Sequence, residues 1–370
     1  MDSPFSLSRR SLVLGALAAP VVSSLGVASA AAVAFHGQVV QEPGEYEARF
    51  PDLLRLNDGR IMAVWHKATE HAGTVGVIRI AFSTSADGTS WSTPHNALAA
   101  AGATAGIDTR DPKLGLMKDG SVIMTFFTST GAVYYSVWKP GWNYFTEPKR
   151  LLSFTAFCHG APLALDTYAG RANEVLVPYY TSGTTGGAWY VRTRWVPETN
   201  TLEIIESPQR IITNDNPAGR VYQEPSFVQI GTTIVCVVRS QNGTDPSPAT
   251  VVRWDAYSSA PTKSYQYFAG VLASSHHLLK TPDGKVLFTY GDRSRVERPT
   301  VGMLISNPTS TWVAGRVVSI YNSGAYDQAN PSSVMLSDGS FLTTGYNAKP
   351  KSSSASGGTL WLLRSLRSEY

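Results

Sequence analysis

The sequence predicts an all-β protein, a six-bladed β-propeller whose blades are four-stranded sheets. A strand–turn–strand unit occurs six times, and its turns follow one another at intervals of roughly 50 to 65 residues, enough chain for four strands per unit. No long segment places apolar residues at the 3.6-residue period of an amphipathic helix. A β-sandwich is the alternative fold, and the regular spacing of the turns argues against it.

Each unit has the composition of a β-hairpin. The turn is usually Asp-Gly, a pair that tolerates the positive φ angles of a tight turn, and the flanking strands are rich in Val, Ile, Leu, Phe and Tyr. The first strands of the six units begin near Pro51, Pro112, Pro162, Pro225, His277 and Pro331. The turns lie at Asp58-Gly59, Asp119-Gly120, Ala169-Gly170, Gly231, Asp283-Gly284 and Asp338-Gly339.

The two ends of the propeller are expected to meet. The last strand, Thr359 to Arg364, has the composition to pair with the segment near Ala34 to Val40 and complete one blade. Such a closure removes the exposed sheet edges that an open ring would carry.

The N-terminal segment predicts export. Residues 8–14 read Ser-Arg-Arg-Ser-Leu-Val-Leu, a twin-arginine pattern, and Ala28-Ser29-Ala30 is a small-residue cleavage site. We therefore expect residues 1–30 to be a signal peptide and residues 31–370 to be the propeller domain, secreted or held in the periplasm or cell envelope. A membrane anchor is the alternative, but the apolar stretch is short and broken by Pro20.

Composition narrows the partners. The chain has 370 residues, a net charge of +4 and no run of five Lys or Arg, which makes nucleic acid an unexpected partner. We expect a monomer that does not associate with the membrane once the signal is removed. Its two cysteines, Cys158 and Cys236, either form a disulfide in an oxidising compartment or remain buried thiols.

The repeat predicts which side chains share one face. In a propeller the first strand of each blade lines the central channel, so its start and the end of the second strand reach the same rim. The starts supply Arg49, Arg110, Asp111, His159, Glu224, His276, His277, Asp327 and Asn330. The returning ends supply His66, Lys67, Thr128, Tyr180, Arg239, Arg293 and Tyr346. Such a cationic cleft predicts an anion site, with salt bridges between blades as the alternative interpretation.

These residues resemble motifs of the sialidase superfamily. Residues 48–51 (Ala-Arg-Phe-Pro) are similar to the family motif that supplies the first arginine of its carboxylate-binding triad. Glu224 and Arg239, 15 residues apart, are similar to its structural glutamate and second arginine, and Arg293 is the third candidate. Residues 85–91 resemble the Asp-box turn, in which Asp87 would have a structural role. The resemblance implies a sialidase-like propeller that acts on a glycan.

The chain departs from that pattern at the catalytic positions. The position eight residues before the last Asp-Gly turn, where the family has its tyrosine nucleophile, is Asn330, so Tyr326 and Tyr346 are the candidates for that part. The loop where the family has its acid/base aspartate offers Glu70 and His71 instead.

Three functions fit this pattern. The first is a glycosidase acting on a terminal acidic sugar, in which Arg49, Arg110, Arg239, Arg293, His159 and Asp327 bind the substrate. Glu224 would then be the base or catalytic carboxylate, and Asp108, Asp111 or Glu70 the acid. The second is a polysaccharide lyase in which His276, His277, His159, His66 or Tyr346 takes a proton next to an arginine-neutralised uronate. The third is a non-catalytic carbohydrate-binding propeller. No motif predicts a metal site or a cofactor.

Overall fold

A computed structural model describes residues 35–42, 46–71, 76–98, 108–166, 171–324, 326–348 and 358–370. The predicted signal peptide and the predicted turn at Ala169-Gly170 lie outside the described residues. The unit from Val33 to Tyr370 consists of six antiparallel sheets in a propeller arrangement, and the predicted fold class is confirmed. Among the described residues the only helix is a single 3₁₀ turn, η1 (Arg367–Glu369), and none is long and apolar enough to cross a membrane.

The first three blades follow the chain from the channel outward. Blade 1 contains β2 (Glu47–Arg55), β3 (Ile61–Ala68), β4 (Val77–Phe82) and β5 (His95–Asn96). Blade 2 contains β6 (Thr109–Leu116), β7 (Val122–Thr128), β8 (Val133–Trp138) and β9 (Lys149–Arg150). Blade 3 contains β10 (Leu163–Ala164), β11 (Glu174–Thr181), β12 (Gly187–Val196), β13 (Thr201–Ile204) and β14 (Gln209–Thr213). Because β13 and β14 both pair with β12, they are two pieces of one outer edge.

The other three blades complete the ring. Blade 4 contains β15 (Arg220–Ile230), β16 (Thr233–Asn242), β17 (Asp245–Asp255) and β18 (Ser264–Tyr267). Blade 5 contains β19 (Ala273–Lys280), β20 (Val286–Asp292), β21 (Thr300–Ile305) and β22 (Val318–Tyr321). Blade 6 contains β23 (Gln328–Met335), β24 (Phe341–Asn347), β25 (Thr359–Ser365) and β1 (Phe35–Gln41). The antiparallel pairing of β1 with β25 confirms the predicted closure of the ring.

The hydrophobic core is divided into six clusters, one at each blade interface. Val64 and Ile80 of blade 1 pack with Met124 of blade 2, and Leu342 of blade 6 packs with Ile61 of blade 1. The same pattern recurs between blades 2 and 3, 3 and 4, 4 and 5, and 5 and 6. Each sheet therefore buries both faces against its neighbours, which explains why the strands read as nearly continuous apolar runs.

The Asp-Gly turns join their strands in the predicted way. The glycines of four of them have φ between +78° and +87°, a range in which a β-carbon is unfavourable. Their aspartates also hold other strands in place, because Asp119 accepts a hydrogen bond from the indole of Trp195 in blade 3 at 3.0 Å, and Asp283 pairs with Arg367 near the C-terminus.

The structure also shows the predicted Asp-box turn. In the Asp-box turn between β4 and β5, Asp87 accepts a hydrogen bond from the backbone N–H of Thr89 at 3.2 Å, and Trp91 donates to the carbonyl of Gly88 at 2.8 Å.

Cys158 and Cys236 are both free and buried, so the thiol alternative describes this structure. Burial raises the pKa of both thiols, which keeps them protonated.

Candidate functional site

A backbone irregularity shapes one rim of the channel. In five blades the first strand contains a β-bulge near its start, at which a non-glycine residue has positive φ. These residues are Phe50 (49°), Asp111 (50°), Glu224 (56°), Ser275 (39°) and Asn330 (51°). Such a conformation costs on the order of 1–3 kcal/mol and is typical of functional sites, where a bulge redirects a side chain.

Proline follows the bulged residue in four of these strands. Pro51, Pro112, Pro225 and Pro331 have no N–H group, so the local break in pairing leaves no donor unsatisfied. Five of the six repeats thus carry polar residues to one rim by the same local device.

One group of side chains is centred on Asp327, between blades 5 and 6. Arg49 donates from Nε to Glu47 and from Nη1 to Asp327 Oδ2, each at 2.5 Å. The hydroxyl of Tyr346 donates to Asp327 Oδ1, and Arg298 Nη2 lies 3.3 Å from the same oxygen. The Nδ1 atom of His71 is 3.1 Å from Asp327 Oδ2. We call these residues the His71 cluster: Glu47, Arg49, His71, Arg298, Asp327 and Tyr346.

Opposite charges set the protonation states in this cluster. Burial raises the pKa of Asp327, but hydrogen bonds from His71 and Tyr346 and the charge of Arg49 outweigh burial, and the net effect lowers it. The pKa of Tyr346 is raised by burial and by the neighbouring Asp327 carboxylate. Asp327 is therefore an anion and Tyr346 a neutral hydrogen-bond donor at neutral pH.

A second group lies at the rim of blades 4 and 5. Arg239 Nη1 donates to Glu224 Oε1 at 2.5 Å, and the backbone N–H of Ser275 donates to Glu224 Oε2 at 2.8 Å. Gln241 Oε1 accepts from Arg239 Nη2 at 2.9 Å and from Arg293 Nη1 at 3.3 Å. Burial raises the pKa of Glu224, but the charge of Arg239 and smaller contributions from the neighbouring histidines outweigh burial. The net effect lowers the pKa, so the carboxylate stays ionised. We call Glu224, Arg239, Gln241 and Arg293 the Glu224 cluster.

Tyr326 interacts with arginines of both clusters. This tyrosine is 71% exposed, and the guanidinium of Arg298 lies over its ring at 5.9 Å from the centroid. The charges of Arg239 and Arg293 also act on its phenol group. Burial and the charges of Arg239 and Arg298 lower the pKa of Arg293, which places the three arginines in one electrostatic neighbourhood.

A third polar group occupies the channel beneath this rim. Asp111 accepts a hydrogen bond from Asn330 Nδ2 at 2.9 Å and lies 3.6 Å from His159 Nδ1 and 3.7 Å from Lys113 Nζ. Lys113 also donates to Asn330 Oδ1 at 3.2 Å. Asn330, at the family's nucleophile position, is therefore a link between Asp111 and Lys113.

His276 is buried, His277 is partly buried, and both are neutral. His276 Nε2 donates to the carbonyl of Val237 at 2.9 Å, and the Nδ1 atom of His277 accepts from the backbone N–H of Ser333 at 3.3 Å. Burial, with smaller contributions from nearby cations, lowers the pKa of His276 to about 4 and that of His277 to about 3.

Arg110 belongs to a separate ion pair. Its Nε donates to Asp108 Oδ2, while the other oxygen of Asp108 lies 3.0 Å from His66 Nε2. The side chains of His66 and Asp108 are fully buried. We call His66, Asp108 and Arg110 the His66 cluster.

The structure brings together most of the predicted site residues, but in separate groups. The His71 cluster holds Arg49, Asp327 and Tyr346, and the Glu224 cluster holds Arg239 and Arg293, with Tyr326 exposed between them. The channel group holds Asp111 and His159, and His276 and His277 interact electrostatically with His159. Arg110 is tied to Asp108, and Glu70 is exposed on the loop after β3.

Two residues at this rim, Glu47 and Arg298, are absent from the predicted site residues, and His71 was offered only together with Glu70 as a residue of the loop after β3. Glu47 lies two residues before Arg49, so it shares the face of the strand from which Arg49 projects. Arg298 lies in an arginine-rich loop, at a positive φ of 52°, and spacing alone does not distinguish it from Arg293 or Arg295. His71 was visible as a loop residue, but its contact with Asp327 joins positions 256 residues apart.

Comparison with solved structures supports the fold. The chain resembles a protein of unknown function from Dyadobacter fermentans with a TM-score of 0.70 and 15% identity, over 90% of this chain and 99% of that one. It resembles a sialidase from Streptococcus pneumoniae with a TM-score of 0.62 and 12% identity, over 91% of this chain and 71% of that one.

A sialidase from Trypanosoma rangeli matches with a TM-score of 0.61 and 12% identity, over 88% of this chain but only 55% of its own. No family model matches the sequence, and no curated protein is similar to it. At these identities the comparisons establish a sialidase-like propeller fold.

Proposed function

We propose that the rim between the His71 cluster and the Glu224 cluster binds the carboxylate of a terminal acidic sugar, and that the protein hydrolyses the glycosidic bond of that sugar. The observation that carries the proposal is the arrangement of Arg239, Arg293 and Arg298 around the exposed Tyr326. Guanidinium groups that converge on one accessible position favour a planar anion, which they bind through paired hydrogen bonds.

The charges at the rim leave one cation to be balanced. Arg49, Arg239, Arg293 and Arg298 face three carboxylates, those of Glu47, Glu224 and Asp327. The described hydrogen bonds of Arg293 go to neutral oxygens, those of Gln241 and of the Thr244 backbone. A ligand with a single negative charge would neutralise this group.

Arg49 has a different part from the other arginines. Its guanidinium is buried between Glu47 and Asp327, so its charge is already balanced within the protein. We therefore assign it to holding Asp327 in place, and we assign carboxylate binding to Arg239, Arg293 and Arg298.

Tyr326 and Glu224 have the chemistry for the reacting centre. Tyr326 presents an exposed phenol among cations, which stabilise negative charge developing on its oxygen as it attacks the anomeric carbon. A tyrosine also avoids placing a second carboxylate against the carboxylate of the sugar. Both oxygens of Glu224 are already hydrogen-bonded, so it orients Arg239 and contributes negative charge near the cationic transition state.

The fold comparisons support the same substrate class. Two of the three similar structures named above are sialidases, and the chain shares their propeller fold at low sequence identity. The arginines are the residues of this chain through which a carboxylate-bearing sugar would be recognised.

The first test measures binding and turnover together. Binding of N-acetylneuraminic acid, glucuronic acid and glucose is measured by calorimetry, and new reducing ends are measured with a panel of sialosides and uronides. We expect an acidic sugar to bind and its glycosides to be hydrolysed, and we expect Arg293→Gln to weaken acid binding about 10- to 100-fold, because a charged hydrogen bond is lost.

Arg295→Gln is the matched control. Arg295 belongs to the same loop, but its side chain is exposed and pairs with Asp292 at 3.9 Å, so we expect binding within about twofold of the wild type. Binding that Arg293→Gln leaves unchanged, or equal affinity for glucose, would contradict the carboxylate assignment. Binding without turnover of any glycoside would instead favour a carbohydrate-binding propeller.

A second candidate function is uronate lysis, favoured by one observation. His71, Asp327 and Tyr346 place an imidazole and a phenol next to arginines, the combination that removes a proton beside a neutralised carboxylate. Elimination creates an unsaturated uronate that absorbs ultraviolet light, whereas hydrolysis does not. Growth of that absorbance on a uronide polymer would favour the lyase.

A further inference from the structure

The ring of His71 stands at the open edge of the site. The side chain lies in the loop after β3 and is 55% exposed, whereas Asp327 beside it is 27% exposed. Its ring meets the ring of Phe50 edge-on, with centroids 5.1 Å apart, and Phe50 is the bulged residue of blade 1. One side of the imidazole is thus held by the protein, and the other side is accessible to a ligand.

The contacts of His71 define which nitrogen carries a proton. Its Nδ1 is 3.1 Å from Asp327 Oδ2 and 3.3 Å from Arg49 Nη1. Arg49 Nη1 already donates to the same carboxylate oxygen at 2.5 Å. The arrangement is consistent when His71 Nδ1–H donates to Asp327, because a carboxylate accepts from both groups. Nε2 then has no hydrogen bond within the described part of the chain and is the atom that faces a ligand.

We propose that His71 is the general acid and base of this site and that Asp327 positions it. The assignment rests on the proposed glycoside hydrolysis. The charged groups that face His71 are Arg49 and Glu47 from β2, Asp327 and Arg298 from the adjacent loops, and Tyr346 from β24, while Glu70 precedes it in its own loop. Glu47 and Asp327 pair with Arg49 and Arg298, so the charges of these four groups are compensated within the protein, and Glu70 is the further carboxylate of the set.

The proton balance of the reaction is simple. The first step needs His71 with a proton on both ring nitrogens, Nδ1–H on Asp327 and Nε2–H on the substrate. In that step the oxygen of Tyr326 bonds to the anomeric carbon and its phenol proton passes to solvent water, which reaches this exposed side chain. The bond from the anomeric carbon to the glycosidic oxygen breaks, and that oxygen keeps the electron pair, takes the Nε2 proton and leaves as the alcohol. In the second step the hydroxyl of one water bonds to the anomeric carbon, the bond to Tyr326 breaks and the phenolate takes a proton back from solvent, while the other proton of the attacking water returns to Nε2. The histidine ends the cycle in its starting state.

The other candidate acids are less suited to this step. His276 is buried and His277 is partly buried, and their low pKa values keep both neutral at neutral pH. Asp111 is held by Asn330, His159 and Lys113 in the channel, and Asp108 is fully buried. Glu70 is exposed, and no described hydrogen bond or ion pair orients it. His71 alone in this group combines accessibility with a fixed orientation.

Leaving-group dependence tests the inference. The wild type and His71→Gln are compared on the methyl and 4-nitrophenyl glycosides of the same acidic sugar. Methanol needs a proton to leave, whereas nitrophenolate does not. We expect His71→Gln to lose about 10²- to 10³-fold in kcat/KM on the methyl glycoside and less than about tenfold on the nitrophenyl glycoside. We also expect the variant to lose the alkaline limb of the pH profile.

Controls separate this inference from the proposed function. His95→Gln changes a histidine on the outer strand of blade 1, which bonds to the carbonyl of Asn143 at 2.8 Å, and should leave both rates unchanged. Equal losses on the two glycosides, or none on the methyl glycoside, would overturn the role of His71 while leaving hydrolysis intact. A wild type that cleaves neither glycoside of any acidic sugar tested would overturn the proposed function and this inference with it.

Discussion

Blade 1 takes part in two histidine–aspartate–arginine clusters, one with blade 2 and the other with blade 6. In the His66 cluster His66 Nε2 lies 3.0 Å from Asp108, and Arg110 holds the other oxygen of that carboxylate. In the His71 cluster His71 Nδ1 lies 3.1 Å from Asp327, and Arg49 holds the same oxygen. The two histidines are five residues apart in the sequence. Each cluster contains one histidine, one aspartate and an arginine on that aspartate, and the two histidine–aspartate distances differ by only 0.1 Å.

Their surroundings are opposite. The side chains of His66 and Asp108 are fully buried, and a β-carbon added at Gly76 would overlap His66 and lie 2.5 Å from Asp108. The pKa of His66 is lowered by burial, which outweighs the charge of Asp108. No ligand can approach this pair without displacing the backbone, so the His66 cluster joins blades 1 and 2. Exposure, rather than residue identity, is what makes the His71 cluster a candidate for chemistry.

The largest effect that sharpens this comparison is expected from Asp327→Asn. The amide keeps the shape of the side chain but removes the charge that Arg49, Arg298 and Tyr346 contact and that fixes the His71 ring. We expect kcat/KM on a methyl glycoside to fall on the order of 10³-fold, because both the orientation and the basicity of the histidine depend on Asp327.

Circular dichroism and the unfolding midpoint establish that this variant is folded. Activity within about tenfold of the wild type would show that Asp327 does not position His71. Restored activity in the double variant with His71→Gln would also count against the coupling, because two residues that act as one unit should give no further loss and no gain.

The same substitution in the buried cluster should act on stability instead. Asp108→Asn leaves Arg110 and His66 without their common carboxylate, and breaking a buried ion pair in this way costs about 3 kcal/mol. We expect the free energy of unfolding in urea to fall by that amount, with kcat/KM of the folded protein within about threefold of the wild type.

Asp58→Asn is the surface control for this result. Asp58 pairs with Arg60 at 2.8 Å, but both side chains are about half exposed, and such pairs contribute up to about 1 kcal/mol. If Asp108→Asn lowered activity about as much as Asp327→Asn while leaving stability unchanged, the division between a structural and a chemical cluster would be wrong.

The fold was predictable because its signal is repeated. Six hairpins, four of them with Asp-Gly turns, each bury both faces, so an error in any one unit would not change the architecture. The closing pair of β1 and β25 also followed from composition, since a propeller with unpaired ends would expose two sheet edges.

Site residues were predictable only where they lie at equivalent positions of the six repeated hairpins. Arg49, Glu224 and Asp327 lie at or beside the strand starts, so equivalence between blades placed them at one rim. The bulges at Phe50 and Glu224 were not predicted, because a positive φ at a non-glycine residue leaves no pattern in composition. His71 and Arg298 lie in the loops between the second and third strands of blades 1 and 5, where the strand pattern does not fix the position of a side chain.

The smallest effect concerns the buried histidines, for which the comparison predicts a pH-dependent stability. Burial lowers the pKa of His66 below its ordinary value of 6.5, and lowers those of His276 and His277 to about 4 and about 3. The unfolded chain therefore binds more protons than the folded protein once the pH falls below 6.5. The stabilisation from neutral burial is present above that pH and is lost as the pH falls towards 4.

His276 and His277 should each contribute a slope of about 1 kcal/mol per pH unit between pH 6 and pH 5, where the buried carboxylates of the rim remain ionised in both states, and His66 acts in the same direction. Urea unfolding at several pH values measures the total slope, and His277→Gln should reduce it by one proton, because a glutamine oxygen accepts from Ser333 without titrating. The slope, rather than the absolute stability, is the quantity to compare, since the substitution also changes packing. An unchanged slope in this variant would mean that His277 is not held neutral by burial, and the contrast between buried and exposed histidines would then depend on His66 and His276 alone.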